Sequence, residues 1–304
     1  MIKWRKKWKR FRPQQDTSPQ QKNVRGQYRG VFTEAWKIID QLTRRYDVRA
    51  YNGIDQLAQI IESRKPVSHT ASDWLALVLL QTPRAARAQL QMDTNKANYH
   101  NRKERLFELI DFNDSFVNTV LALPKNELAN FAERLRKASY ELCRRLQTPN
   151  FTDEQFDAIV RGLSREIAVY RGALELGYQA RMTDRTLDAF GIDMVLEDVE
   201  GRVLNIDVKT PSAFRHRLND LVQEGRITED ALYTADEQGF LLHIHKHHGS
   251  RVEKVLVVLL CVRPENLGDI VNFELEDTAP LGELLTSIAN SIERTYERED
   301  EKKV

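Results

Sequence analysis

Two short stretches near residue 200 alternate between apolar and polar side chains at a period of two. They cover residues 192–198 and 203–209. This period is typical of strands with one buried face. Between them, Val199-Glu200-Gly201 fits a three-residue hairpin loop in which the glycine takes a positive φ. The pattern therefore predicts a β-hairpin.

The predicted hairpin brings two aspartates together. If Asp198 pairs with Arg202, paired positions sum to 400 and Asp193 lies opposite Asp207. Side chains paired in this way have Cβ atoms about 4.5–5.5 Å apart, and like charges there are destabilising. A divalent cation relieves the repulsion, and Mg²⁺ suits one or two carboxylates with water and phosphate oxygens. Lys209 lies on the same strand face as Asp207 and adds a positive charge.

Residues 30–150 show apolar positions almost entirely at helical spacing, which predicts an all-helical N-terminal domain. Within it, Ser72 and Asp73 are expected to cap a helix over residues 74–80 that Pro83 ends. Two further helices are predicted over residues 102–112 and 128–146.

A second domain is predicted over residues 151–304. Thr152 and Gln155 have the spacing of a capping box, and Gly177 follows the last apolar position of the helix. Glu166 is expected at the edge of the buried stripe of this helix. The alternative is an ordinary boundary glutamate paired with a surface cation.

The elements that follow alternate between strands and helices. We expect a strand at 178–183, a short polar loop at 184–188, the hairpin, a helix at 212–224, strands at 241–246 and 255–262, and a closing helix at 281–296. The strand at 255–262 is almost continuously apolar, so it is expected to be central in the sheet and covered on both faces.

The charge of the chain is uneven, although the 304 residues carry a formal net charge of only +1. Residues 1–30 contain ten Lys and Arg against one Asp, so the remainder is near −8. Residues 1–29 are interpreted as a basic tail and linker. A helix at 1–12 would combine aromatic side chains with cations such as Lys6 and Arg10, suited to phosphates or an anionic surface. A mobile basic tail is the alternative.

Two distant cysteines and the lack of a long apolar run indicate a reduced, cytoplasmic protein without a transmembrane segment. The N-terminus lacks the apolar region of a secretory signal.

The order of elements and the placement of acidic residues resemble the core of the PD-(D/E)xK nuclease superfamily. Glu166 matches on the first helix, Asp193 opens the second strand, and Asp207-Val208-Lys209 ends the third. Ile192 stands where the superfamily's name has proline. The resemblance covers roughly residues 153–265 and implies a restriction-endonuclease-like α/β/α core with a central mixed sheet.

The resemblance implies metal-dependent cleavage of phosphodiester bonds. Asp193 and Asp207 would be metal ligands, Glu166 would assist them, and Lys209 would lie beside the attacking water. The expected cofactor is Mg²⁺, with Mn²⁺ as a substitute. The expected function is a DNA endonuclease in defence, mobile-element processing or repair. The helical domain would position substrate or mediate contact with a second copy or another protein.

Two alternatives to a DNA nuclease remain at this stage. A catalytically inactive nucleic-acid-binding or assembly protein could keep the same fold as a scaffold, and an RNA-cleaving enzyme would have the same site. Loss of Asp193 or Lys209 would separate an enzyme from a scaffold.

Other candidate sites are cationic or rich in histidine. Arg215 and Arg217 follow the Lys209 strand, where they could contact phosphates or form an exposed basic turn. His243, His245 and His247 alternate along one strand face. That face could bind zinc or copper, line a nucleic-acid groove, or belong to a solvent-facing edge strand, which is the favoured interpretation.

Overall fold

The computed structural model describes residues 30–46, 51–63, 69–94, 102–188, 191–248 and 252–301. In these ranges, side chains are described except at 51, 102–106, 185, 245–248, 252–254 and 294–301. The protein is mixed α/β and mostly helical, with a mixed central sheet. The described residues up to 150 form the helices α1 Val31–Arg45, α2 Tyr51–Ser63, α3 Ala71–Thr94, α4 Arg102–Ala122, α5 Lys125–Leu128 and α6 Phe131–Leu146.

The rest of the chain builds the sheet and the helices around it. Its elements are α7 Asp153–Glu175, β1 Gln179–Met182, α8 Arg185–Asp188, β2 Met194–Glu197, β3 Val203–Lys209, α9 Pro211–Gln223, α10 Glu229–Gln238, β4 Phe240–His248, β5 Val252–Cys261, α11 Pro264–Leu267, β6 Ile270–Val271, β7 Glu274–Leu275 and α12 Ala279–Glu301.

The prediction that Pro83 ends a helix is wrong, because α3 continues through Pro83 to Thr94. A proline inside a helix removes one hydrogen bond and crowds the carbonyl four residues earlier, at a cost of about 3 kcal/mol. Pro83 is buried and α3 packs against α1, α2, α4 and α6. Burial of its apolar residues therefore offsets the local cost.

The start of α3 also differs from the prediction. Thr70, two residues before Ser72, forms the cap. The Asp73 N–H donates to Thr70 Oγ1 at 3.2 Å, and the Thr70 N–H donates to Asp73 Oδ2 at 3.0 Å. These reciprocal bonds satisfy two groups at the helix start.

The helix predicted over residues 128–146 is confirmed as α6, except that α6 begins three residues later, at Phe131. α5 ends at Leu128, and α6 begins after Asn130, whose φ of 62° is left-handed. Asparagine tolerates this conformation better than most residues. Farther upstream, the helix expected to end at residue 112 continues to Ala122 as α4.

The five-stranded sheet has the order β1-β2-β3-β5-β4. β3 and β5 are parallel, while the other neighbours are antiparallel. The hairpin register is confirmed, since Met194 pairs with Ile206 and Leu196 with Leu204. β5 is an interior strand, and its residues 257–261 are all buried, as predicted for a strand covered on both faces.

α7 contributes to two hydrophobic cores. Phe156 and Leu163, in its first part, belong to the core of the helical half. Val169 and Ala173, in its last part, belong to the core between the sheet and α12. The predicted capping box at its start is confirmed, with Thr152 and Gln155 bonded reciprocally. This helix therefore connects the helical half to the sheet and carries Glu166 between the two cores.

Among the described residues, no helix combines the length and the apolar character needed to cross a membrane.

Candidate functional site

The end of the β2–β3 hairpin holds Asp193 and Asp207 in place. The Asp193 N–H donates to the carbonyl of Ile206 at 2.8 Å, which extends the hairpin pairing beyond β2. The Asp193 side chain accepts a 2.6 Å hydrogen bond from the Val208 N–H at Oδ2. Both aspartates are buried, at 9% and 6% exposure. Backbone pairing therefore fixes two carboxylates in a site with little water.

Lys209 lies at the end of β3 and contacts Asp207 directly. Its Nζ forms an ion pair with Asp207 Oδ1 and donates to the carbonyl of Val208 at 3.3 Å. Burial alone would lower the pKa of Lys209, but Asp193 and Asp207 outweigh burial and raise it above its usual value. The ammonium therefore stays charged at neutral pH. The Lys209 side chain is 28% exposed, so it lies between the buried acids and solvent.

α7 brings Glu166 to the same site. Its pKa is raised well above the ordinary value, first by burial and then by the negative charge of Asp193, while Lys209 opposes the shift. The alternative of a glutamate paired with a surface cation does not describe this environment. Its neighbour Arg165 donates to the carbonyls of Val262 and Arg161.

Asp188 belongs to this acidic site, although no pattern in the sequence indicated it. Residues 184–188, expected to be a polar loop, contain the one-turn helix α8, and Asp188 is its last residue. Burial and the charge of Asp193 raise the pKa of Asp188 to about 7, with a further contribution from Asp114 of α4. Single-turn helices have too few residues to show a period, so the pattern of apolar positions could not locate this one.

The site holds more negative than positive charge. Glu166 senses the charges of Asp188, Asp193 and Asp207, and Lys209 opposes their effect while it pairs with Asp207. Burial, together with the negative charge of Asp193, raises the pKa of Asp207 and so disfavours its ionised form, while Lys209 opposes the shift. A cation bound among these oxygens would relieve the repulsion between the carboxylates.

The donor chemistry fits Mg²⁺ or Mn²⁺, which prefer carboxylate oxygens. The arrangement is not a finished ligand set, because no three His, Cys, Asp or Glu side chains in the described part of the chain converge on one metal position. One reason is that Asp207 Oδ1 binds Lys209. Its other oxygen, Oδ2, faces Gly191, where an added Cβ would lie 3.4 Å away. A cation bound at Asp207 would therefore share this carboxylate with Lys209.

The cations predicted to contact nucleic acid differ in how they are engaged. Arg215 donates to both carboxylate oxygens of Asp236, at 3.2 Å each. Arg217 pairs with Glu224 at 3.4 Å and also lowers the pKa of Asp207 through its charge. Lys6 and Arg10 lie outside the described residues.

The histidine strand is an edge strand, as expected, because β4 ends the sheet. The solvent-facing interpretation is wrong for His243, which is only 6% exposed. His243 Nδ1 lies 3.4 Å from Arg226 Nη2. Arg226 Nη2 also donates to the carbonyl of Ile244. The side chains of His245 and His247 lie outside the described part, so their metal site stays a prediction.

Comparisons with protein-family models, with curated proteins and with solved structures give no match to this chain.

Proposed function

We propose that this protein is a magnesium-dependent nuclease that hydrolyses phosphodiester bonds, with DNA as its substrate. The observation that carries the proposal is that Asp193 and Asp207 directly follow the ladder between residues 194–197 and 203–206, with the Asp193 N–H bonded to the carbonyl of Ile206. Lys209 completes the end of the same strand, and Glu166 reaches the site from α7. The restriction-endonuclease-like arrangement of the core is part of this proposal.

Each residue has a distinct task in the proposed reaction. Asp193 and Asp207 would hold the cation, with Glu166 at its side. A bound Mg²⁺ would supply positive charge that polarises a phosphate oxygen and makes a nearby water more acidic. Lys209 stays protonated, so it is suited to orient that water and to stabilise negative charge that develops on the phosphate. Asp188, with a pKa of about 7, is suited to exchange a proton with solvent near neutral pH.

A second candidate function is a nucleic-acid-binding or assembly protein without catalysis. Two observations favour it. Lys209 already neutralises Asp207, and no three ligand side chains converge on a metal among the described residues. In that case the Asp207–Lys209 pair would hold the end of β3 in place, and no cation would be needed.

Cleavage of supercoiled plasmid, single-stranded DNA and single-stranded RNA tests the proposal, with Mg²⁺, Mn²⁺ or EDTA. The wild type should cut DNA only with metal, and Asp207→Ala and Lys209→Ala should each lower the rate about a hundredfold or more. Glu197→Ala is the matched control, because it removes an exposed carboxylate from the same hairpin. Circular dichroism shows whether each variant is folded.

The outcomes separate the candidate functions. Metal-dependent cutting of RNA but not DNA would change the substrate and leave the site in place. Absence of cutting in the wild type on all three substrates would reject the nuclease and favour the scaffold. Equal rates for the wild type and both site variants would assign any observed cutting to another site or to a contaminant.

A further inference from the structure

A cleft of about 510 Å³ lies between α6, α7 and the segment that follows β5. Its lining includes three arginines, Arg161 and Arg165 of α7 and Arg263 after β5. Glu133 and Asp269 are the acidic residues of the lining. Glu133 already pairs with Lys137 at 3.1 Å. The cleft therefore has an excess of positive charge.

The two arginines of α7 lie one helical turn apart and repel each other. Arg165 is held in position because its Nε donates to the carbonyl of Val262 at 3.0 Å and its Nη1 to that of Arg161 at 2.8 Å. Neither arginine forms a salt bridge with a described acidic residue, in contrast to Arg215, which is engaged by Asp236. An anion in the cleft would relieve this repulsion.

Arg263 occupies the other wall of the cleft. Its Nη2 donates to the carbonyl of Asp236 at 2.6 Å, which anchors the side chain to the end of α10. Its Nη1 lies 3.9 Å from Asp236 Oδ1, so part of its charge is balanced. Arg263 is therefore held in place by Asp236, whereas Arg161 is exposed and accessible to a ligand.

The cleft adjoins the acidic site along two elements. Arg165 precedes Glu166 on α7. Val262, which accepts the hydrogen bond from Arg165, donates its own N–H to the carbonyl of Lys209 at 3.0 Å. Val262 therefore lines the cleft and is hydrogen bonded to the backbone at the end of β3. A chain with regularly spaced phosphates could occupy the cleft while another of its phosphates lies at the carboxylates.

We propose that this cleft binds a backbone phosphate of the nucleic-acid substrate, with Arg161 and Arg165 as the residues that contact it. Arginine suits this task because its planar guanidinium can donate two parallel hydrogen bonds to a phosphate. The inference rests on the proposed function for the identity of the ligand. It differs from the sequence prediction, which assigned phosphate contacts to Arg215 and Arg217.

Binding of a fluorescent single-stranded DNA oligonucleotide, followed by anisotropy in EDTA, tests the inference without cleavage. Arg161→Ala should weaken binding about tenfold. The slope of log affinity against log salt concentration should fall by about 0.7 for the loss of one phosphate contact on single-stranded DNA. Arg161→Lys should keep most of the salt dependence, and Arg161→Glu should lose more affinity than Arg161→Ala.

Two further variants make the test specific. Arg44→Ala removes an equal charge from an exposed position on α1, which does not line the cleft, and should bind as the wild type does. Arg215→Ala tests the sequence prediction directly. The inference is wrong if Arg161→Ala binds like Arg44→Ala, or if Arg215→Ala loses more affinity than Arg161→Ala.

Competition with inorganic pyrophosphate distinguishes a polymer from a small phosphate ligand. If Arg161→Ala loses pyrophosphate binding but keeps its affinity for the oligonucleotide, the assignment to nucleic acid is overturned. Cleavage is measured separately. A loss of binding in Arg161→Ala with no cleavage by the wild type would keep this site and reject the nuclease, whereas normal cleavage with unchanged binding would reject this site alone.

Discussion

At the scale of single residues, the buried carboxylates of the acidic site repel one another, and the rest of the fold offsets this unfavourable free energy. Asp193 is fixed by hydrogen bonds from the backbone, and Asp207 by its place in β3 and its pair with Lys209. Glu166 and Asp188 add negative charge to the same volume, and the pKa of each is raised. Raised carboxyl pKa values outside a salt-bridge network are found more often at functional sites than elsewhere.

The pKa of Asp188 predicts how the stability of the metal-free protein depends on pH. The folded value is about 7 against an ordinary value of 3.8. Between these values the folded protein holds a proton that the unfolded chain has released. The free energy of unfolding should therefore fall as the pH rises from about 4 to 7. The stability that Asp188 contributes is fully present below its unfolded pKa and is lost as the pH rises through its folded pKa.

Thermal denaturation in EDTA at several pH values measures this effect. Asp188→Asn carries no titrating proton, so its melting temperature should decrease less than that of the wild type across the same window. Glu197→Ala, which removes an exposed carboxylate, should follow the wild type. A wild type and Asp188→Asn with identical pH dependence would contradict the buried, raised pKa of Asp188.

The sequence predicted Asp193, Asp207 and Lys209 together because a hairpin transmits its register. The Asp198 N–H donates to the carbonyl of Arg202, and the pairing then runs from Glu197 with Val203 to Met194 with Ile206. Asp188 was missed because the single turn that carries it has no periodicity. The arginine cleft was missed for another reason. It forms where α7 meets the segment after β5, about a hundred residues later, and such a contact has no signature in local sequence.

At the scale of elements, the packing of α7 sets opposite requirements at two of its glycines. A Cβ at Gly172 would lie 2.8 Å from Leu281 Cδ2 of α12, which is buried. A Cβ at Gly162 would meet no atom within 4 Å. Gly172 therefore allows α7 and α12 to approach closely, whereas Gly162 has no packing role.

These two glycines form a matched pair for a stability experiment. Gly162→Ala should raise the free energy of unfolding by up to about 1 kcal/mol, because alanine has the higher helix propensity. Gly172→Ala should lower the free energy of unfolding, since overpacking a buried contact costs about 1–3 kcal/mol, which exceeds the gain in helix propensity. Urea denaturation measures both values. Equal stabilisation by the two substitutions would show that α7 and α12 are not in close contact.

Local signals predicted some ends of elements correctly and others incorrectly. The capping box of α7 depends on residues three positions apart and was predicted correctly. Pro83 carries a strong local signal to end a helix, yet α3 continues because tertiary burial outweighs it. α10 was not predicted, since its ten residues include few apolar positions and only Ala235 is buried.

At the scale of the whole molecule, the helical half and the sheet share structural parts. α7 contributes to both hydrophobic cores. Phe273, which lies in the turn between β6 and β7, packs against Phe116 and Phe131 of the helical half at centroid distances of 5.9 and 6.2 Å. Arg171 of α7 donates to the carbonyl of Val120 and to Glu274. We therefore expect the described halves to unfold together.

Phe273→Ala tests this coupling. Removal of this buried ring should lower the free energy of unfolding by about 3–5 kcal/mol. All four tryptophans lie before residue 75, so their fluorescence reports on the N-terminal half, while far-UV circular dichroism reports on the whole chain. In the wild type both signals should change in one transition, and in Phe273→Ala both should shift together. Two separate transitions in the wild type would contradict the coupling.

We propose that the carboxylates at the end of β3 bind a divalent cation, and calorimetric titration with Mg²⁺ and Mn²⁺ measures this binding without cleavage. At pH 7 the wild type should bind metal and release protons, because Asp188 is then partly protonated. The released protons make the observed heat depend on the ionisation enthalpy of the buffer.

The same titration on two variants locates the site. Asp207→Ala should abolish metal binding. Glu197→Ala removes an exposed carboxylate from the same hairpin and should bind metal as the wild type does. Binding that persists unchanged in folded Asp207→Ala, or absence of binding in the wild type, would contradict the claim.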